Sequence, residues 1–223
     1  IIGTSEVTMV IRDENGVRIA RKGETPIGNF CADALRNVLG AEIAFVNGGT
    51  IRSDIRQGEV SYNTLLSVFP YNNSVCTATM TGKQIMDALE VSVHLYPNEN
   101  GGFLQVSGLK FKVDPSVPTS VVIDENELFS HVEGSRRVLD VQVLDNASGQ
   151  YVPIDPERTY TIASSSFLIE NHGDYGVLRY AKVKERNLGQ DVDMLALYLG
   201  QTLGGKIGAE YGQTEGRIVF VQP

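Results

Sequence analysis

The chain has 223 residues, 42% of them hydrophobic, and carries a net charge of −8 with only 3 histidines and 2 cysteines. This is enough to bury one sizeable core, and no run approaches the ~20 apolar residues of a membrane-crossing helix. The acidic balance argues against broad binding to nucleic acid polymers or anionic membranes, which needs clustered Lys and Arg, so an anionic ligand must be held by a few placed cations.

In chain order, Thr4 to Ile11 and Gly16 to Arg21 flank a turn at Asp13–Gly16 and read as a hairpin. Ile27, Phe30, Cys31, Ala34, Leu35, Val38 and Leu39 recur at helical spacing, with Gly40 at the position of a C-terminal cap. A strand-like run, Ala41 to Val46, then leads into Asn47-Gly-Gly-Thr-Ile-Arg52. Thr81-Gly-Lys-Gln84 has the spacing of a capping box, and Ile85, Met86, Leu89, Val93 and Tyr96 continue an apolar helical face. The Gly-Lys pair is thus a helix start; it lacks the upstream glycine of a triphosphate-binding loop. Strands follow at Phe103–Val106, Leu109–Val113, Val138–Leu144, Thr159–Ala163 and Arg217–Val221, and a last helix spans Val192 to Leu203. Asp124–Glu127 reads as a solvated loop. This irregular interleaving predicts an α+β fold with a mixed β-sheet and packed helices in a single domain.

Cys31 and Cys76 lack CxxC spacing and are read as buried free thiols. His94, His131 and His172 are too scattered for a metal centre, and Asn171-His172-Gly173-Asp174 lacks the partner Asp and His motifs of a dinuclear metallophosphoesterase. The segment Asn47 to Arg52 is the sharpest chemical signal. Paired glycines let backbone amides approach a ligand closely, and the arginine offers a planar fork suited to phosphate or carboxylate. A simple turn is the alternative for the same residues.

Five blocks in one order carry a resemblance that covers about residue 20 to the end: Glu24-Thr-Pro-Ile-Gly-Asn29 leading into Asp33-Ala34, Asn47 to Arg52, Phe69-Pro-Tyr-Asn-Asn73, Gly101 to Gly108, and Phe167 to Tyr175. The chain resembles the C-terminal, substrate-recognition domain of the 5'-nucleotidases, of the UDP-sugar hydrolase/5'-nucleotidase type. The resemblance implies a domain that grips a nucleotide while a separate N-terminal metallophosphoesterase domain, absent from residues 1–223, holds a pair of divalent metal ions and performs hydrolysis. Catalytic and metal-binding residues are therefore expected outside this chain, which alone binds without turnover.

The resemblance also assigns roles. Arg21, Asn47 and Arg52 fall on the phosphate or ribose side, Tyr71 and Phe167 sandwich the base, Asn73 reaches the base edge, and Asp174 accepts hydrogen bonds from ribose hydroxyls. Three departures stand out. Tyr71 replaces the usual phenylalanine; the interval from Phe167 to Asp174 is one residue longer, with His172 in place of a glycine; and Val17 stands where some members carry a further arginine, with Arg18 adjacent as a substitute. Structural readings stay open beside these roles: Arg21 as a solvated strand residue, Arg52 pairing with Asp54 or capping a helix, Tyr71 and Phe167 as core aromatics, Asp174 stabilising the Gly173 turn.

The expected parent protein is an exported phosphoric ester hydrolase, periplasmic, cell-surface or secreted, acting on nucleoside 5'-monophosphates. Relatives acting on cyclic nucleotides, UDP-sugars or dinucleotides, and a non-catalytic surface interaction module keeping the fold, are the alternatives. Beginning at Ile1-Ile2-Gly3 without an initiator Met or signal-like region, the chain reads as an excised fragment or mature product.

Overall fold

The computed structural model describes residues 1–222. A short strand, β1 (Gly3–Ser5), precedes α1 (Pro26–Leu39) and β2 (Ile43–Asn47); β3 (Gly58–Val60) and α2 (Tyr62–Val68) lead to β4 (Val75–Thr81) and α3 (Gly82–Val93). Strands then dominate: β5 (Leu104–Ser107), β6 (Leu109–Val113), β7 (Val121–Ile123), β8 (Phe129–Val132), β9 (Val138–Asp145), β10 (Gln150–Pro153) and β11 (Thr159–Ser165). The single turns α4 (Ser166–Ile169) and α5 (Gly173–Gly176), strand β12 (Lys182–Glu185), α6 (Asp191–Leu197) with a wide π turn to Thr202, β13 (Lys206–Ile207) and β14 (Ile218–Phe220) complete the chain. The fold is α+β with mixed sheets.

The central sheet has the order β12-β4-β11-β2-β5, with β11 and β2 parallel and the other pairs antiparallel. Its residues alternate between two cores, as a two-residue strand period requires. Ile43 and Phe45 of β2 face a core shared with α3 and the β10-β9-β6-β14 sheet. Ala44 and Val46 face the other, filled by α1, α6 and residues of α2. The helical spacing from Ile27 to Leu35 is thereby spent on burial: those side chains are almost wholly inaccessible. Both predicted thiols are buried and free.

Local chemistry sets the element ends. Thr25 accepts a hydrogen bond from the Gly28 amide at the start of α1, and Gly40 ends that helix at φ 66°, a left-handed conformation that suits glycine. At Thr81 both halves of the capping box form, the threonine side chain accepting from the Gln84 amide and Gln84 from the Thr81 amide.

The N-terminal hairpin does not form. The Asp13–Gly16 turn is present, with hydrogen bonds from Gly16 N to Asp13 O and Asp13 N to Val17 O, but the flanking chain pairs elsewhere. Strand β1 lies between β13 and β3, Met9 bridges Ile55, and Ile19–Arg21 is a 3-10 turn. The final helix narrows to Asp191–Leu197 before the π turn, and α3 ends at Val93, leaving Tyr96 outside it, stacked on Phe220 at 4.2 Å.

Candidate functional site

Segments spread between residues 21 and 174 meet at one cleft of about 350 Å³, and all seven residues singled out in the sequence line it, joined by Gly49, Thr50 and Gly101. Asn47 stands at the end of β2, Arg52 just past a 3-10 turn over Gly48–Thr50, and Arg21 at the end of its own 3-10 turn. Tyr71 and Asn73 lie between α2 and β4, Phe167 in α4 and Asp174 in α5.

The glycine pair draws these loops together. A Cβ on Gly48 would collide with the Ala20 carbonyl, so only glycine permits that approach. Gly48 N donates to Phe103 O at 2.7 Å, Gly49 N to Gly101 O at 2.9 Å, and Asn100 N to Arg21 O at 3.0 Å. Three segments remote in sequence are thus locked by main-chain bonds around the cleft, with the arginine side chains left to face it.

Neither Arg21 nor Arg52 is paired with a carboxylate among the described residues. Among the described residues, Arg52 reaches only the Gly49 carbonyl, at 3.5 Å. Burial, then the positive charges of Arg18 and Arg52, pull the Arg21 pKa below its ordinary value, partly opposed by Glu99 and Asp174. Two guanidinium groups that repel each other and lack carboxylate partners among the described residues leave an excess of positive charge at this end of the cleft. Asp54, the alternative partner for Arg52, instead accepts from the Ile11 amide at 2.8 Å.

Asp174 faces the same cleft. Its Oδ2 accepts a 2.6 Å hydrogen bond from Asn47 Nδ2, so the carboxylate ties the last turn-forming block to β2 rather than stabilising its own turn. A Cβ on Gly101 would stand 3.5 Å from Asp174 Oδ1 and 3.7 Å from Arg21 Nη1, which puts carboxylate and guanidinium on the same side of the site. Burial raises the Asp174 pKa from its ordinary value, while the Asn47 hydrogen bond and the Arg21 charge oppose the rise. A partly desolvated carboxylate with an open oxygen is a strong acceptor for hydroxyl groups.

The backbone here is strained. His172, Asp174 and Tyr175 have φ of 54°, 51° and 60°, and Gly176 follows at 65°. Non-glycine residues in this region cost on the order of 1–3 kcal/mol each and persist where surroundings over-determine them. Gly173 presses against the Phe167 ring, where any Cβ would clash. The left-handed turns of this segment keep both Phe167 and Asp174 on the cleft.

Phe167 is half-buried and packs against the core, whereas Tyr71 is 58% exposed. Both line the cleft without a ring–ring contact between them. Asn73 is held from behind, its carbonyl accepting from the Asp191 amide at 2.8 Å. Asp191 is buried at the start of α6, and burial pushes its pKa up to about 6. Sequence reading passed over it, although an acidic residue in the first turn of an apolar helix is a legible sign of a helix start.

Arg18 does not extend the cleft. It forms an ion pair with Glu99 at 2.7 Å and lines a smaller neighbouring depression. Among the described residues, no group of three or more His, Cys, Asp or Glu is arranged to hold a metal ion, and no helix is long and apolar enough to cross a membrane.

Residues 1–180 match the family model described as "5'-nucleotidase, C-terminal domain". The chain is 32% identical over 203 residues to the trifunctional nucleotide phosphoesterase protein YfkN of Bacillus subtilis, covering 89% of this chain and 12% of that protein. A 5'-nucleotidase precursor from Thermus thermophilus superposes with a TM-score of 0.79 at 30% identity, over 100% of this chain and 40% of its own. The NAD nucleotidase of Haemophilus influenzae shares the fold, with a TM-score of 0.72 at 17% identity, over 100% of this chain and 38% of its own. The chain therefore spans well under half the length of each of these relatives.

Proposed function

This chain belongs to the 5'-nucleotidase C-terminal domain family, and from that premise we propose that it is the nucleotide-recognition domain of a phosphohydrolase acting on nucleoside 5'-monophosphates. The observation carrying this reading is the convergence of Arg21, Arg52, Asn47, Asp174, Tyr71, Phe167 and Asn73 on a single cleft. Its contents match the parts of a nucleotide: unpaired guanidinium groups for the phosphate, a carboxylate for a vicinal diol, exposed aromatic surface for a flat base.

In this reading the base enters between Tyr71 and Phe167, where stacking is worth roughly 1–3 kcal/mol per base, and Asn73 bonds its edge. Asp174, steadied by Asn47, accepts from the ribose hydroxyls. Arg21 and Arg52 take the phosphate, replacing its lost water with charge-assisted donors. The hydrolytic step belongs to an N-terminal metallophosphoesterase domain of the same polypeptide with a pair of divalent metal ions. Specificity resides here and chemistry elsewhere, in a protein exported to the periplasm, the cell surface or the medium.

Saturation-transfer NMR with adenosine tests the base site. Strong transfer from the protein to the base protons H2 and H8, lost in Phe167→Ala, is the expected result; no transfer to the base in the wild-type chain would overturn the assignment.

A further inference from the structure

Asp174 and Tyr175 both hold left-handed torsions in the midst of the cleft-lining loop, and a loop of this kind keeps its shape only if something outside it does the holding. The support comes from the C-terminal end of α3. Asn100 Nδ2 donates to the Ser92 carbonyl and its Oδ1 accepts from the Gly102 amide, while Ser92 Oγ accepts from the Leu104 amide. Gly102 in turn abuts the Asp174 side chain so closely that a Cβ there would stand 2.9 Å from Asp174 Cβ.

The second prop is His94, the residue that caps α3. Its imidazole is fixed by a hydrogen bond between Nδ1 and the Val91 carbonyl, and its ring meets Tyr175 edge-on, centroids 5.1 Å apart at 83°. Neither His94 nor Tyr175 lines the cleft. Burial draws the His94 pKa below its ordinary value, which keeps the ring neutral and suited to an aromatic partner. No catalytic or ligand-binding duty accounts for a histidine at this place.

We propose that His94 is a positioning residue for ligand recognition: by bracing Tyr175 it holds the 172–176 loop in the left-handed form that presents the Asp174 carboxylate to a vicinal diol. The inference rests on the assignment of Asp174 to the ribose. It predicts that His94 acts on one feature of the ligand, the diol, and leaves base and phosphate recognition unchanged.

The test compares dissociation constants of this chain for adenosine and for 2',3'-dideoxyadenosine, in the wild type, His94→Ala, His94→Phe, Asp174→Ala and the His94→Ala/Asp174→Ala pair, with folding checked by circular dichroism. The wild type should favour adenosine about tenfold, as expected for hydrogen bonds to a charged acceptor. His94→Ala should lose most of that preference with little change for the dideoxy compound. His94→Phe, which keeps a ring against Tyr175, should restore it, and His94→Ala should add nothing in the Asp174→Ala background. If Asp174→Ala abolishes the preference while His94→Ala retains it, or if His94→Ala weakens both ligands equally, the positioning role is wrong. If Asp174→Ala leaves the preference intact, the ribose assignment itself has failed.

Discussion

Asn47 and Asp174 are joined by a 2.6 Å hydrogen bond although 127 residues separate them in the chain. The pair fastens the end of β2 to the turn at α5, and its hydrogen bond opposes the upward pull of burial on the Asp174 pKa.

Replacing Asn47 with Ala should therefore move the Asp174 pKa further upward, because the Asn47 hydrogen bond opposes the rise caused by burial. Carboxyl-carbon NMR titration of Asp174 checks the direction. Asn47 is itself 3% exposed, so the same change should cost about 1–3 kcal/mol of stability, as expected when a buried hydrogen bond loses one partner.

Asp191 predicts a pH signature. Its folded pKa of about 6 lies above the value of about 3.9 in an unfolded chain. The native state thus binds the proton more tightly, and as pH rises from about 4 through 6 the ionised, buried form is penalised and stability falls. The two-unit shift corresponds to about 3 kcal/mol. Urea denaturation at pH 4.5 and 7 should show about 2 kcal/mol of this loss, the unfolded carboxyl being already mostly ionised at pH 4.5, in the wild type relative to Asp191→Asn, which removes the titration while keeping an oxygen for the Val192 amide.

Asp33 and Arg217 form a buried bidentate pair at 2.8 and 2.9 Å, and Tyr211 and Ser107 complete the carboxylate's shell. Arg217→Met strands a charged carboxylate in the core and should destabilise the chain by about 3–5 kcal/mol. The double variant Asp33→Leu/Arg217→Met should recover much of this loss, since replacing a whole buried pair by apolar groups is often near neutral. Denaturant midpoints of the three proteins decide it.

Much of the fold was legible wherever a signal was local. The Thr81–Gln84 capping box, the Gly40 cap and the apolar face of α1 are written within one or two helical turns, and each forms as read. The hairpin failed for the converse reason. Its turn is local and real, but the partners of β1 lie at Val60 and Lys206, and nothing near Thr4 in the sequence specifies them. The strands β10 and β12 have mostly exposed side chains, so their apolar pattern was too faint to find.

For the site, residue type suggested only Asn47 to Arg52; ordered blocks of family resemblance supplied the other residues, and the fold gathers all seven at one cleft. Two features had no sequence signal. Arg18 is drawn away by Glu99, a partner 81 residues distant. The second is the run of left-handed torsions at His172, Asp174 and Tyr175: His and Asp are enriched in that region, but no local pattern announces three such residues within one short turn.

In the proposed reading, one cleft takes a nucleoside by its base and sugar and a phosphate by its arginines. Calorimetric titration of the wild type and Arg52→Ala with AMP and with adenosine, without added metal, tests it most directly. The wild type should bind AMP more tightly than adenosine, and Arg52→Ala should lose about tenfold in AMP affinity, the worth of one charge-assisted hydrogen bond, while adenosine affinity is unchanged. Equal losses for both ligands, or no binding of either at millimolar concentration, would contradict it.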